Sequence, residues 1–410
     1  MLPQEAAERE TIARAIADTM ASWGYGLVET PVAEEYATLE AGAGSSLEGT
    51  AFRLFDSDGG LLALRPEMTV PIARVVATRL ADEPGPYRLR YAADVFREQA
   101  SMRGQARQFT QAGLEFLGAA GPAADAEVIA IFVESLRATG LTQFSVGVGT
   151  VSVLRAIIDA AGMESEWGEA VLEAAHDRNL VGLDALAGRD GVAPEAAAAL
   201  KAVPRIRGCR DAIDECRGAA AGCGVDAALD TLDSTWDLLD ALGVTDAVSI
   251  DFGIMRSFDY YTGIVLEAYA PGLGLPIGGG GRYDAVMAEF GRPMPAAGFA
   301  VGIERLHIAL AEEGVRIAVP RLDAVLGGAP NAAFAAAAQL RKAGWRVRLS
   351  EREGLELVRE AEAAGAPEAL LAVDGRTVRL DRVGETATPL EDPLPGPPTR
   401  TWTREAGERS

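Results

Sequence analysis

Between Tyr87 and Leu117 the chain runs YRLRYAADVF, then the polar stretch REQASMRGQAR, then QFTQAGLEFL. Two alternating, strand-like runs flanking a polar loop read as strand, loop, strand. On the returning strand Gln111 and Glu115 fall at even spacing, so they share a face with Phe109 and Gly113. A glutamate on an inward sheet face is costly unless it meets a cation. That cation is either a ligand's ammonium or imidazolium, or Arg97 or Arg107 within an exposed hairpin. Arg97 leaves a strand and is therefore rigidly placed, able to grip a carboxylate or phosphate with two parallel hydrogen bonds. These residues alone leave a ligand site and a solvated salt-bridged hairpin equally open.

Four other stretches carry chemistry-bearing residues. In LRPEMT (64–69), Glu67 and Thr69 precede a helix, where an N-cap and a helix-dipole partner are the plain structural reading. MRSFDYYTG (255–263) packs Arg256, Asp259, Tyr260 and Tyr261 together, and adjacent tyrosines on a strand face opposite sides. GGGGRYD (278–284) reads as a glycine turn that lets backbone approach a ligand, or as a tight turn with a structural Arg–Asp pair. PAAGFAVGIERL (295–306) reads as a strand with Gly298 and Gly302 leading to Glu304 and Arg305 at a helix start, a flat surface on which a ligand can lie.

The rest of the chain reads as follows. Residues 5–23 predict a helix with Ile12, Ile16 and Met20 on one face, ended by Gly24 and Gly26. The D-G-G of 58–60 predicts a hairpin, and TVPIARVVATRLA a helix. Residues 120–245 are Ala-rich and helical, interrupted by a strand at 144–149, and look like an insertion between two halves of a sheet. After Pro320 a strand, helix, strand, helix and strand pair predict a small α/β domain with a Pro-rich tail. The expected division is 1–318 and 319–410.

Bulk properties exclude several classes. No apolar run is long enough to span a membrane, and the amphipathic N-terminus lacks signal-peptide blocks, so a cytoplasmic protein is expected. The formal charge of −22 argues against a broad nucleic-acid footprint. Lysine occurs only at Lys201 and Lys342, neither after a glycine loop, which excludes a P-loop nucleotide grip. Cys209, Cys216 and Cys223 stand seven apart and read as small apolar residues in one helix seam. With only His176 and His307 available, no metal site and no cofactor are expected.

Taken together and in order, these motifs resemble the catalytic core of histidyl-tRNA synthetase, a class II aminoacyl-tRNA synthetase, over roughly residues 1–315. The resemblance implies an α+β fold: an antiparallel sheet flanked by helices, with a helical insertion and a small C-terminal α/β domain. It implies dimerisation through the first class II motif around Pro31. It also implies a histidine pocket: Glu67 and Thr69 for the amino group, Gln111 and Glu115 around the amino group and imidazole, Tyr260 and Tyr261 beside the imidazole, and Arg256 near the scissile phosphate. Arg97 matches the arginine that touches the carboxylate and α-phosphate, and Arg305 the one on the ATP phosphates.

The departures fall on the nucleotide side. Where the family reads F-R-x-E-R-P-Q-x-G-R-x-R-Q-F-H-Q, this chain reads FREQASMRGQARQFTQ. The family's Glu is Gln99, its following Arg is Ala100, the next Pro is Ser101 and a later Arg is Gln105. LRPEMT likewise replaces a P-E-G-T motif. Losing donors of this kind costs roughly 2–4 kcal/mol each in comparable electrostatic sites. The pattern resembles the paralogous family of regulatory subunits of ATP phosphoribosyltransferase, the first enzyme of histidine biosynthesis. That resemblance implies no catalytic residue, a retained histidine site, feedback inhibition by histidine, a short-form catalytic subunit as partner in a hetero-octamer, and no tRNA partner. The alternative it leaves is an active synthetase or another adenylate-forming enzyme.

Overall fold

The computed structural model describes residues 2–43, 47, 49–99, 106–254, 261–317, 322–381, 384, 387–390 and 403–404. The chain divides into two compact units, with bodies Arg9–Arg316 and Ile317–Thr403.

Helix α1 (Pro3–Ser22), which belongs to the larger unit from Arg9 onward, buries Ile12, Ile16 and Met20, one per turn on a single face, and Gly24 ends it at φ 84°. Strand β1 (Gly26–Leu27) follows, then β2 (Ala33–Glu35), helix α2 (Tyr36–Ala43), and the hairpin of β3 (Arg53–Phe55) and β4 (Leu61–Leu64). Strands β2, β4 and β3 form a small antiparallel sheet. Helix α3 (Thr69–Thr78) leads to β5 (Tyr87–Phe96) and β6 (Gln108–Leu117), which pair in antiparallel register along their full length.

Helix α4 (Pro122–Ala138) is apolar almost all round and accordingly buried, with Phe132 stacked on Phe299 at 4.7 Å between centroids. Strand β7 (Ser145–Thr150) precedes a bundle of α5 (Val151–Ala160), α6 (Ser165–His176), α7 (Leu180–Ala187), α8 (Pro194–Ala202), α9 (Asp211–Ala219) and α10 (Asp226–Ala241), with β8 (Arg207–Gly208) between α8 and α9. The chain returns through β9 (Val248–Asp251), β10 (Ile264–Tyr269), β11 (Gly278–Arg282), α11 (Asp284–Glu289), β12 (Ala296–Gly302) and α12 (Ile303–Glu312).

Among the described residues these strands form a nine-stranded sheet in the order β1-β5-β6-β12-β11-β10-β7-β9-β8. From β5 to β7 every neighbouring pair is antiparallel. This is the expected mixed fold with an antiparallel sheet and flanking helices.

Two expectations are corrected. The glycine run 278–281 is not a turn but strand β11, in the middle of the sheet. Its neighbours come so close that a Cβ at Gly278 would stand 2.7 Å from the Ala300 carbonyl oxygen, and one at Gly280 would collide with the Gly298 carbonyl. The cysteines do not share one helix. Cys209 is exposed ahead of α9, Cys216 is buried within it, and Cys223 is buried in the turn after it. The helix stops at Ala219, and Gly222 and Gly224 follow at φ 85° and 74°, a backbone no helix continues through.

In the smaller unit, among the described residues, parallel strands at Val347–Leu349, Ala324–Gly328 and Glu368–Val373 continue antiparallel into Arg376–Leu380 and Ala387–Pro389. Helices Pro330–Lys342 and Gly354–Ala363 connect the parallel strands, burying Ala337 and Leu340, and Leu357. Most of the Pro-rich tail lies outside the described residues.

Candidate functional site

The site is built on the central strands. Directly opposed residues of an antiparallel pair share a face. Gln111, Gly113 and Glu115 of β6 therefore lie beside Gly302, Ala300 and Gly298 of β12, and Gly279 and Gly281 of β11 extend the row. Side chains this small leave a hollow above the sheet. Its volume is about 220 Å³, and its walls include Glu67, Thr69, Arg97, Gln111, Glu115, Tyr261 and Arg305. The sequence expectations thus converge on one cavity. Arg256 and Tyr260 lie outside the described residues.

At one end stand two carboxylates. Glu115 is buried; its Oε1 accepts from Thr69 Oγ1 at 2.8 Å and its Oε2 from the Tyr283 hydroxyl. Burial, reinforced by the nearby Glu67 charge and opposed by those hydroxyls and that of Tyr91, pushes the Glu115 carboxyl up to about 8. Among the described residues no Arg or Lys pairs with it. Room for this arrangement comes from glycine. A Cβ at Gly298 would collide with Glu115 Oε2 and the Leu114 carbonyl, and one at Gly113 would lie 2.7 Å from the Tyr91 hydroxyl.

Glu67 precedes α3 and caps it from outside the helix. Its carboxylate accepts from the Thr69 N–H at 2.5 Å and the Val70 N–H at 2.9 Å. Thr69 is not the N-cap; Met68 takes that position and contributes no side-chain bond. Burial raises the Glu67 carboxyl, opposed by the helix N–H groups and by Arg97. Further along the same face of β6, Gln111 is nine-tenths buried, and its Oε1 has no hydrogen-bond partner. An acceptor left this way is costly until a donor arrives.

The other end is cationic but committed. Arg97 donates from Nε to the Pro66 carbonyl at 2.9 Å and lies over the Phe109 ring at 5.2 Å. Arg305 donates to the Pro276 carbonyl at 2.9 Å. Gln99 donates back to the Ala106 carbonyl of its own loop at 2.8 Å. Glu304 accepts from the Thr110 N–H and pairs with Arg9 at 3.0 Å. Ala100, Ser101 and Gln105 lie outside the described residues.

Two further expectations resolve. Arg107 pairs with Glu98 at 3.7 Å rather than with Glu115, so Arg107 is not the partner a solvated hairpin would give that acid. Arg282 follows its structural reading: it is held by Asp125 at 2.5 and 2.9 Å and Asp284 at 3.2 Å, away from the cavity. Tyr91 and Tyr283 also reach the site, and no sequence motif marks them for it. Their one signal is placement, Tyr91 opposite Gly113 across β5–β6 and Tyr283 at the end of the glycine strand.

A family model described as histidyl-tRNA synthetase matches residues 1–306. The ATP phosphoribosyltransferase regulatory subunit of Moorella thermoacetica is 39% identical over 385 residues, 94% of this chain and 96% of that one. That of Symbiobacterium thermophilum is 42% identical over 376 residues, 90% and 94% of the two chains. The chain belongs to the histidyl-tRNA synthetase family, among its ATP phosphoribosyltransferase regulatory subunits. The solved structure described as an ATP phosphoribosyltransferase regulatory subunit/histidyl-tRNA synthetase from Bacillus halodurans C agrees, with a TM-score of 0.75 and 32% identity over 85% of this chain and 90% of that one. Histidyl-tRNA synthetase from Nostoc sp. PCC 7120 shares the fold, with a TM-score of 0.79 at 22% identity over 95% and 94% of the chains.

Proposed function

We propose that this chain is the non-catalytic regulatory subunit of an ATP phosphoribosyltransferase in the cytoplasm, and that its cavity binds free histidine. It supports a short-form catalytic subunit in the first step of histidine biosynthesis and carries feedback inhibition to it. It self-associates through the segment around Pro31. The observation that supports this reading is the acidic end: Glu115 and Glu67 side by side, neither in an ion pair among the described residues, with the Gln111 acceptor open further along the same sheet face. Such a site favours a ligand that brings a positive charge and N–H donors, as an α-ammonium with an imidazole does. Arg97, on the same cavity wall and close enough for its charge to act on Glu67, serves the ligand carboxylate. Tyr261 lines the imidazole side, and the roles of Arg256 and Tyr260 rest on the family resemblance.

Feedback is then one coupling free energy between this cavity and the partner surface, typically 1–3 kcal/mol. The test is reconstitution with the short catalytic subunit. Histidine inhibits the wild-type complex, and Glu115→Ala abolishes calorimetric histidine binding and desensitises the complex. Unchanged histidine affinity in Glu115→Ala rules the site out. The second reading, an active adenylate-forming synthetase, is favoured by one observation, the presence of both Arg97 and Arg305 on the cavity wall.

A further inference from the structure

Arg65 is buried, with 5% of its surface exposed, yet it lines no part of the cavity. A buried guanidinium ordinarily faces a carboxylate. This one faces main chain. Its Nε donates to the Asp94 carbonyl at 2.9 Å, and its Nη1 to the Thr30 and Pro31 carbonyls at 2.6 and 3.2 Å and to Thr30 Oγ1 at 3.2 Å. Its own N–H reaches the Val32 carbonyl at 2.9 Å, and its carbonyl accepts from the Phe96 N–H at 3.0 Å. The Asp94 carboxylate is occupied elsewhere, accepting from Gln108 and Thr110. Arg65 is therefore a brace between the 30–32 segment and the end of β5.

The next two residues carry that brace to two charged groups on the cavity wall, Arg97 and Glu67. The Pro66 carbonyl holds Arg97 Nε, and the Glu67 carboxylate caps α3. Proline at 66 fixes one of the two soft backbone angles on the way, so little slack enters. The Arg97 guanidinium and the Glu67 carboxylate are thus tied to three consecutive residues, and the first of them is locked by four side-chain hydrogen bonds.

We propose that Arg65 is a positioning residue that fixes the distance between the Arg97 guanidinium and the Glu67 carboxylate, so that the cavity measures the separation of the two opposite charges of an α-amino acid. The inference rests on the reading that the cavity binds histidine through those two residues. Arg65 never touches the ligand. Lysine cannot replace it, because one compact ammonium lacks the fork that reaches Asp94 and Thr30 together.

The test compares two ligands on the full chain. Histidine carries both charged groups, and histidinol keeps the ammonium and imidazole but lacks the carboxylate. Wild type binds histidine more tightly than histidinol. In Arg65→Lys and Arg65→Met, calorimetry should show histidine weakened about tenfold or more, the scale on which misplaced contacts act, while histidinol changes little, so the preference collapses. Pro66→Gly loosens the same link without removing a buried cation and should collapse it too, which keeps the test open where the arginine variants fail to fold. A preference unchanged in Pro66→Gly or Arg65→Lys overturns the proposal, as does an equal loss of both ligands, which marks Arg65 as merely structural. Failure of wild type to bind histidine overturns the proposed function itself, and this inference with it.

Discussion

The two ends of the cavity are built from the same sheet but finished differently. At the acidic end the polar groups converge on open space. Glu115 collects hydroxyls from three separate elements, Glu67 faces it, and the Gln111 acceptor waits without a partner. At the cationic end the polar groups turn back on the protein. Arg97 and Arg305 give hydrogen bonds to carbonyls, and Gln99 closes its own loop. Among the described residues, the acidic groups therefore keep an open acceptor beside them, while Arg97, Arg305 and Gln99 already hold main-chain carbonyls.

The comparison breaks first at Gly298. Gly298→Ala forces a methyl group onto the Glu115 carboxylate and the Leu114 carbonyl. Overpacking of this kind costs about 1–3 kcal/mol. Thermal denaturation should show lowered stability, and calorimetry a loss of histidine binding of about a hundredfold, with nucleotide-end contacts untouched. Next, Tyr283→Phe removes one donor from Glu115 and leaves its shape. Histidine affinity should fall about tenfold, the worth of one hydrogen bond to a charged group, and an unchanged affinity would detach Tyr283 from the site.

A smaller effect is set by pH. In the empty protein Glu115 titrates near 8, whereas unfolded it titrates near 4.5. Between those values the folded chain holds a proton that the unfolded chain has released, so this group's contribution to stability falls as pH rises. Glu115→Gln carries no such proton. Its melting temperature relative to wild type should climb from pH 5 to pH 8, and a difference independent of pH would deny the carboxyl its buried, uncompensated setting. The smallest effect belongs to Gln99→Ala. The Gln99 amide serves Ala106 at the far end, so histidine affinity should stay within about twofold, below the ~1 kcal/mol of a single neutral hydrogen bond.

How much of this was legible beforehand follows the physics of each segment. α1, β5, β6 and the smaller unit carry regular 3.6- or 2-residue periods, and they form where those periods place them. β11 has four glycines and no period at all. Its strand character comes from β10 and β12, whose close approach leaves no room for a Cβ at Gly278, Gly280 or Gly281, and that is invisible in a single segment. The spacing of seven in the cysteines mimics a helix face, but α9 begins at Asp211, after Cys209, and ends at Ala219, before Gly222, Cys223 and Gly224. At the site, charged residues announced themselves because a buried charge needs a reason. Tyr91 and Tyr283 did not, since an aromatic in an apolar alternation reads as core, and their role depends on Gly113 and Glu115 standing across from them. Arg65 was hidden for the same cause: its partners are backbone carbonyls, which no residue pattern records.

The most direct test of a sensor rather than a catalyst joins two measurements on one purified sample: calorimetric histidine binding and histidine-dependent ATP–pyrophosphate exchange. Binding without exchange is the expected result. Exchange above background would contradict it, because the cationic end would then still be assembling a working adenylation site.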